Sequence, residues 1–206
     1  MREVARAAPA AQTDLVPTPP SHAPSDLVPV LLITGPVGVG KTTVGQEASR
    51  LLSDAHVAHA LVDLARIGAC WPPPHDDPWN ERLAHRNLAC MWSNFRAAGA
   101  RRLLVCRVLE ARSLLRRIVE AVPGADITVI GLRAPLDVLH ARIRTREAGR
   151  DPAWYLNAAT YLAYKLERSP FEDYCINNVD RPARDVAQEA LRRAGWLDTT
   201  AQAGDL

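Results

Sequence analysis

Residues 35–43 read Gly35-Pro36-Val37-Gly38-Val39-Gly40-Lys41-Thr42-Thr43, which is the spacing G-x-x-x-x-G-K-[ST]. Glycine, lysine and threonine at these intervals make a cradle for phosphates. The glycines let the backbone curl until its N–H groups point inward, Lys41 reaches the β and γ oxygens, and Thr42 offers a hydroxyl to Mg2+. The helix that follows adds the positive end of its dipole. Together these residues imply a bound nucleoside triphosphate. So short a pattern needs its context, a buried strand feeding the loop and a helix leaving it. Val30, Leu31, Leu32, Ile33 and Thr34 form the unbroken run of a central parallel strand, and residues 41–52 carry Val44, Ala48, Leu51 and Leu52 at helical spacing.

Further along, four groups of residues could act on what the cradle holds. Asp63 directly follows a second apolar run, with Arg66 three residues on. A carboxylate there could orient an acceptor hydroxyl, take its proton or help hold Mg2+, with Arg66 beside it for an anion; it could equally cap a helix or form a surface ion pair. Trp71 and Trp79 flank a proline run, either as a wall over a substrate or as pins holding a loop to the core. Asp77-Pro78 reads as a helix N-cap followed by proline at the first helical position, and His75 as a solvent-facing residue. A helix after residue 133 carries Arg142, Arg144, Arg146 and Arg150, of which Arg142, Arg146 and Arg150 recur every four residues. These could converge on the charge that develops during phosphoryl transfer, as a mobile lid, or form a solvated face paired with Glu147. The third strand ends Cys106-Arg107-Val108-Leu109-Glu110, without the aspartate that supports Mg2+ in many P-loop proteins. Asp63 or Glu110 could serve through a water, or Thr42 and the phosphates could supply most of the metal's oxygens; alternatively the chain is an ATP-binding regulatory protein or slow ATPase without a phosphoryl acceptor.

The elements that must position these residues alternate. Strands are expected over 57–62, 102–106, 127–132 and 174–177. Helices are expected over 81–98, with Ala84, Leu88, Met91 and Phe95 on one face, over 111–122, and over 186–194. That is a βαβ series around a parallel sheet, whose ligands gather at the carboxyl ends of the strands. The chain has 206 residues, 48% of them hydrophobic, and a net charge of +2, which suits one domain and small-molecule substrates. Without a basic run interleaved with aromatics, a nucleic-acid partner is not indicated. Cys70, Cys90, Cys106 and Cys175 lack metal or dithiol spacing, and no stretch has the length of a membrane span. A cytoplasmic protein is expected, with a homodimer left open. Residues 1–27, rich in Ala and Pro, are expected to be a disordered tail, 28–197 the domain and 198–206 a flexible C-terminus.

Taken together, the P-loop, the Asp after strand two, the arginine-rich segment after strand four and the turn before the last helix resemble the nucleoside-monophosphate-kinase-like family. Its members include adenylate, shikimate, gluconate and adenylylsulfate kinases and chloramphenicol phosphotransferase. The resemblance spans about residues 28–196 and is most specific at the P-loop. It implies an α/β fold with a five-stranded parallel sheet of order 2-3-1-4-5, ATP as donor with Mg2+, and a closing lid. It further implies Gly35, Gly38, Gly40, Lys41 and Thr42 as the cradle, Asp63 as the substrate carboxylate, and Arg142 and Arg146 as lid arginines. The turn Asn178-Val179-Asp180-Arg181-Pro182 would contact adenine. Asp63 with Arg66 is similar to the Asp-x-x-Arg of adenylylsulfate kinases, and Asn87 occupies a helix position like theirs, so both would touch substrate. Asn177 to Asp180 also echo the N-K-x-D guanine signature, but its lysine is missing and no D-x-x-G follows the P-loop.

Overall fold

Strand β1 (Val28–Thr34) runs through the middle of the molecule, and nearly every side chain along it is buried. In a computed structural model that describes residues 27–197, it is paired on both edges, with β3 (Arg102–Cys106) and β4 (Ala125–Arg133). Outside these lie β2 (His59–Asp63) and β5 (Tyr174–Asn177), giving a five-stranded, all-parallel sheet of order β2-β3-β1-β4-β5, as the sequence led one to expect. The expected N-terminal tail, save Leu27, and the expected flexible C-terminus lie outside the described residues.

A strand covered by helices on both faces must be apolar at every position, and β1 divides its side chains accordingly. Val30 and Leu32 join the core formed with Leu88 and Trp92 of α3 (Glu81–Ala97) and Ile118 of α4 (Arg116–Ala121). Leu31 and Ile33 enter a second core with Val44 and Leu52 of α1 (Lys41–Asp54) and Leu191 of α7 (Ala183–Arg193). Edge strand β2 alternates instead, with Ala60 and Val62 buried. A one-turn α2 (Leu64–Ile67) follows it.

Several expectations are corrected. The second strand starts at His59 rather than 57, because the N–H of Val57 bonds to Leu52 O (2.8 Å) and closes the end of α1 beyond His56, whose φ is 54°. The stretch 111–122 is a 3-10 turn (Arg112–Leu115) followed by α4. Helix α3 buries the expected Ala84 and Leu88, with Met91 and Phe95 partly buried against the same core, and adds His85 and Trp92. Its N-cap position is Asn80, not Asp77, and Pro78 lies outside it. The buried Asp77 carboxylate nevertheless serves the free N–H groups of that helix, accepting from Glu81 N (2.8 Å) and Leu83 N (3.0 Å). The arginine helix α5 (Leu136–Arg146) stops short of Arg150, which sits in the turn around Gly149 (φ 85°). Helix α6 (Ala153–Arg168) was not anticipated. It buries a narrow stripe of Ala159, Leu162 and Leu166, while Trp154, Tyr161 and Tyr164 face solvent and dilute the period. Among the described residues no helix is long and apolar enough to cross a membrane.

Candidate active site

All five strands point the same way, so their carboxyl ends deliver the P-loop, Asp63, Arg107, Arg133 and Asn178 to one edge of the sheet. The P-loop turns from β1 into α1 through glycines that no other residue could replace without movement. At Gly35 (φ 136°) a Cβ would lie 2.5 Å from Leu132 O, and at Gly40 (φ 96°) 2.8 Å from the Asn178 Nδ2. Lys41 Nζ donates to Gly35 O (3.1 Å) and Pro36 O (2.9 Å), folding back over its own loop. Burial lowers its pKa from 10.5 to about 8, with Arg146 and Arg107 adding to the decrease and the Asp63 carboxylate opposing it.

Asp63 ends β2 and meets the P-loop across the sheet. Thr42 Oγ1 donates to its Oδ2 at 2.6 Å, Ala65 N donates to Oδ1 at 3.1 Å, and Arg66 Nε lies 3.9 Å from Oδ2. The residue therefore caps α2 and touches the cradle at once. A hydroxyl and a carboxylate in contact are hard oxygen donors of the kind Mg2+ takes, so Thr42 and Asp63 are the residues that would hold it. Glu110 is not placed to help them. It accepts from Lys165 Nζ (2.5 Å) and Tyr161 (3.3 Å) of α6. Among the described residues no group of three or more His, Cys, Asp or Glu side chains could hold a metal.

On the other flank, α5 and the turn after β5 close over the loop. Asn178 Nδ2 donates to Val39 O (2.6 Å), and Arg142 donates to Asn178 O (3.0 Å) and Val39 O (3.5 Å), so one buried amide and one guanidinium tie the three segments together. Arg146 donates to Glu147 (2.7 Å) and lies over the Tyr155 ring. The result is a cleft of about 540 Å3 lined by Gly38, Gly40, Lys41, Thr42 and Thr43 with Arg66, Arg142, Arg146, Asn178 and Arg181. It also admits Gln46, which sequence reasoning passed over although it stands four residues from Thr42 on the same helical face. Pro36, Val37 and Val39 shape the loop rather than line the cleft, with Val39 wholly buried.

Other expected site residues lie elsewhere. Trp71 is 91% and Trp79 72% exposed, and neither lines the cleft. Asn87 spends its amide on Ile67 O (2.7 Å), fastening α2 to α3. Arg133 is paired with the fully buried Glu172 carboxylate (2.6 Å). Cys106 is held as a thiol by burial and by the Asp63 charge, its pKa pushed up to about 12.

No protein-family model and no curated protein matches the chain. Solved structures do share its fold. A gluconokinase from Sinorhizobium meliloti 1021 is 18% identical, with TM-score 0.54 over 82% of this chain and 93% of that one. A tunicamycin resistance protein from Deinococcus radiodurans is 20% identical, with TM-score 0.59 over 82% and 97%. The Mycobacterium tuberculosis APS kinase CysC, solved with AMPPNP and APS, is 18% identical, with TM-score 0.52 over 81% and 96%. The fold is that of the P-loop small-molecule kinases.

Proposed function

We propose that the chain is an ATP-dependent phosphotransferase that moves the γ-phosphoryl group to a hydroxyl or phosphate of a small metabolite, nucleoside or nucleotide, in the cytoplasm. The observation that supports it most is the 2.6 Å contact between Thr42 and Asp63, because it joins the cradle to the one carboxylate at the neighbouring strand ends. In the transfer, the acceptor oxygen bonds to the γ phosphorus as the bridging β–γ bond breaks and ADP leaves. The hydroxyl proton passes to Asp63 or to water. Lys41, Arg142 and Arg146 would steady the charge that spreads over the equatorial oxygens. Mg2+ would neutralise phosphate charge beside Thr42 and Asp63.

A regulatory ATP-binding role is the competing reading, and it draws on Arg107 at the end of β3, where a metal-supporting carboxylate is missing. An ATP-consumption screen with Mg2+ separates the two, run against nucleosides, nucleotides, sugars and hydroxylated antibiotics with Lys41→Ala as control. Acceptor-dependent ADP formation that the variant lacks supports transfer. Tight ATP binding with no acceptor-dependent turnover favours regulation.

A further inference from the structure

Helix α6 packs one stripe, Ala159, Leu162 and Leu166, against the protein and turns three large rings outward. Trp154, Tyr161 and Tyr164 are 59%, 54% and 60% exposed, although rings of this size are among the side chains that gain most from leaving water. At 3.6 residues per turn, Asn157, Tyr161, Tyr164 and Arg168 share the face opposite the buried stripe, with Trp154 along its edge. The rings are held in place before anything meets them. Lys165 Nζ donates to the Tyr161 hydroxyl (3.0 Å) and lies over that ring, and Arg168 Nη1 donates to the Tyr164 hydroxyl (2.9 Å) and lies over the other. Trp154 stands edge-on to Tyr155, with the ring centroids 5.0 Å apart. Rings already ordered lose little entropy on docking, and Trp, Tyr and Arg are the residue types that anchor interfaces.

The order of residues along this face complements its own reverse. About a two-fold axis at Tyr161, an antiparallel copy of the helix sets Trp154 against Arg168 and Tyr164 against Ala158. The indole then meets a guanidinium, the Tyr164 ring enters the gap left by the small Ala158 and Asn157, and the two Tyr161 rings meet at the axis. The charges agree. Exposed Asp151 precedes the helix, while Lys165 and Arg168 occupy its last turn, so reversal brings the acidic end of each copy to the basic end of the other, with the helix dipoles opposed. A buried ring covers about 150–250 Å2, and more than half of each is still free, so the three rings with their neighbours offer roughly 500 Å2 a side and roughly 1,000 Å2 in all. That is the lower limit of a specific interface and suits reversible pairing in the micromolar range. We propose that the outward face of α6 pairs antiparallel with the same face of a second copy of this chain, forming a two-fold dimer.

Sedimentation equilibrium of the full chain from about 1 to about 200 µM should show monomer and dimer in exchange. Trp154→Ala and Tyr164→Ala should each weaken the dimer by about tenfold or more, whereas Trp79→Ala, on another exposed ring, should leave it unchanged. Charge separates this pairing from any other contact between exposed rings. Arg168→Asp and Asp151→Arg should each weaken the dimer by about fivefold, and the double variant, which exchanges the two charges, should recover most of the loss. Asp151 also accepts from Ala153 N (2.9 Å), a bond lost in the single and the double variant alike, so the recovery reads the charge. Melting curves confirm that each variant is folded. The inference is overturned by a chain that stays monomeric at the upper concentration, by a dimer that Trp154→Ala and Tyr164→Ala leave unchanged, or by a double charge variant that pairs no better than the single ones.

Discussion

Replacing Lys41 by methionine should abolish phosphoryl transfer and yet raise the stability of the nucleotide-free protein. In the folded chain the pKa of Lys41 is lowered from 10.5 to about 8, chiefly by burial. The unfolded chain therefore holds this proton more tightly than the folded one, and at neutral pH folding must carry a charge that the site disfavours. At roughly 1.4 kcal/mol per pKa unit the penalty is about 3 kcal/mol. That is an upper bound, since Lys41 keeps some contact with solvent. Methionine also gives up the two bonds to Gly35 O and Pro36 O, which leaves a gain of about 1–2 kcal/mol, or a rise in Tm of about 2–8 °C. The penalty is full below pH 8, fades as the folded-state lysine loses its proton, and is gone above 10.5. The advantage of the variant should shrink over that window. Thermal unfolding of both proteins at pH 7 and pH 9.5, with and without MgATP, measures this. With nucleotide at about 100 times its Kd the wild type gains about 2.7 kcal/mol and the order reverses. A nucleotide-free variant that melts below the wild type at pH 7, or a difference that does not change with pH, would refute the reasoning.

Asp63→Asn should keep the cap on α2, since asparagine caps nearly as well as aspartate, and unfold within about 1 kcal/mol of the wild type, while ADP release with acceptor falls by about 100-fold or more; normal turnover removes Asp63 from the mechanism. Gly45→Ala places a Cβ 2.4 Å from Cys106 Sγ, and overpacking of about 1–3 kcal/mol should lower the Tm. In a Cys106→Ala background the same change should be neutral or stabilising, as a double-mutant cycle will show. Asn178→Ala takes away the 2.6 Å bond to Val39 O and should cost about 1–3 kcal/mol of stability, with weaker binding of a fluorescent ATP analogue in titration.

The parallel sheet was legible because its middle strands carry continuous apolar runs, Val30–Ile33 in β1 and Leu103–Cys106 in β3, a pattern that burial on both faces favours. Edge features were harder to read. Val57 is apolar and fits a strand, but the N–H it would contribute is used to close α1. Helix α6 escaped notice because its aromatic residues point outward, so hydrophobicity alone marks the wrong face. At the site, Asp63 could be picked out by its place after the second strand. Its bond to Thr42 could not, because the two are 21 residues apart and meet only through the strand order. Asn87 and the tryptophans show the reverse. Their residue types suit a ligand, yet the amide of Asn87 is taken by Ile67 O and the indoles lie away from the cleft.

The path of the chain beyond β3 accounts for the unusual division of charge. Arg107 N is bonded to Ile33 O, and two residues later Leu109 N is bonded to Thr34 Oγ1 at 3.0 Å. The exit loop therefore runs along the base of the P-loop and carries Glu110 away to Lys165 on α6. The position beside both the cradle and Asp63 falls to Cys106, whose Sγ donates to Lys41 O at 3.4 Å, and the next residue is Arg107, a permanent cation. Mg2+ held beside Thr42 would then take its carboxylate from another strand, β2, which ends at Asp63 in register with Cys106. In the proposed reaction Asp63, which already accepts from Thr42, would serve both sides, beside Mg2+ and facing the acceptor hydroxyl.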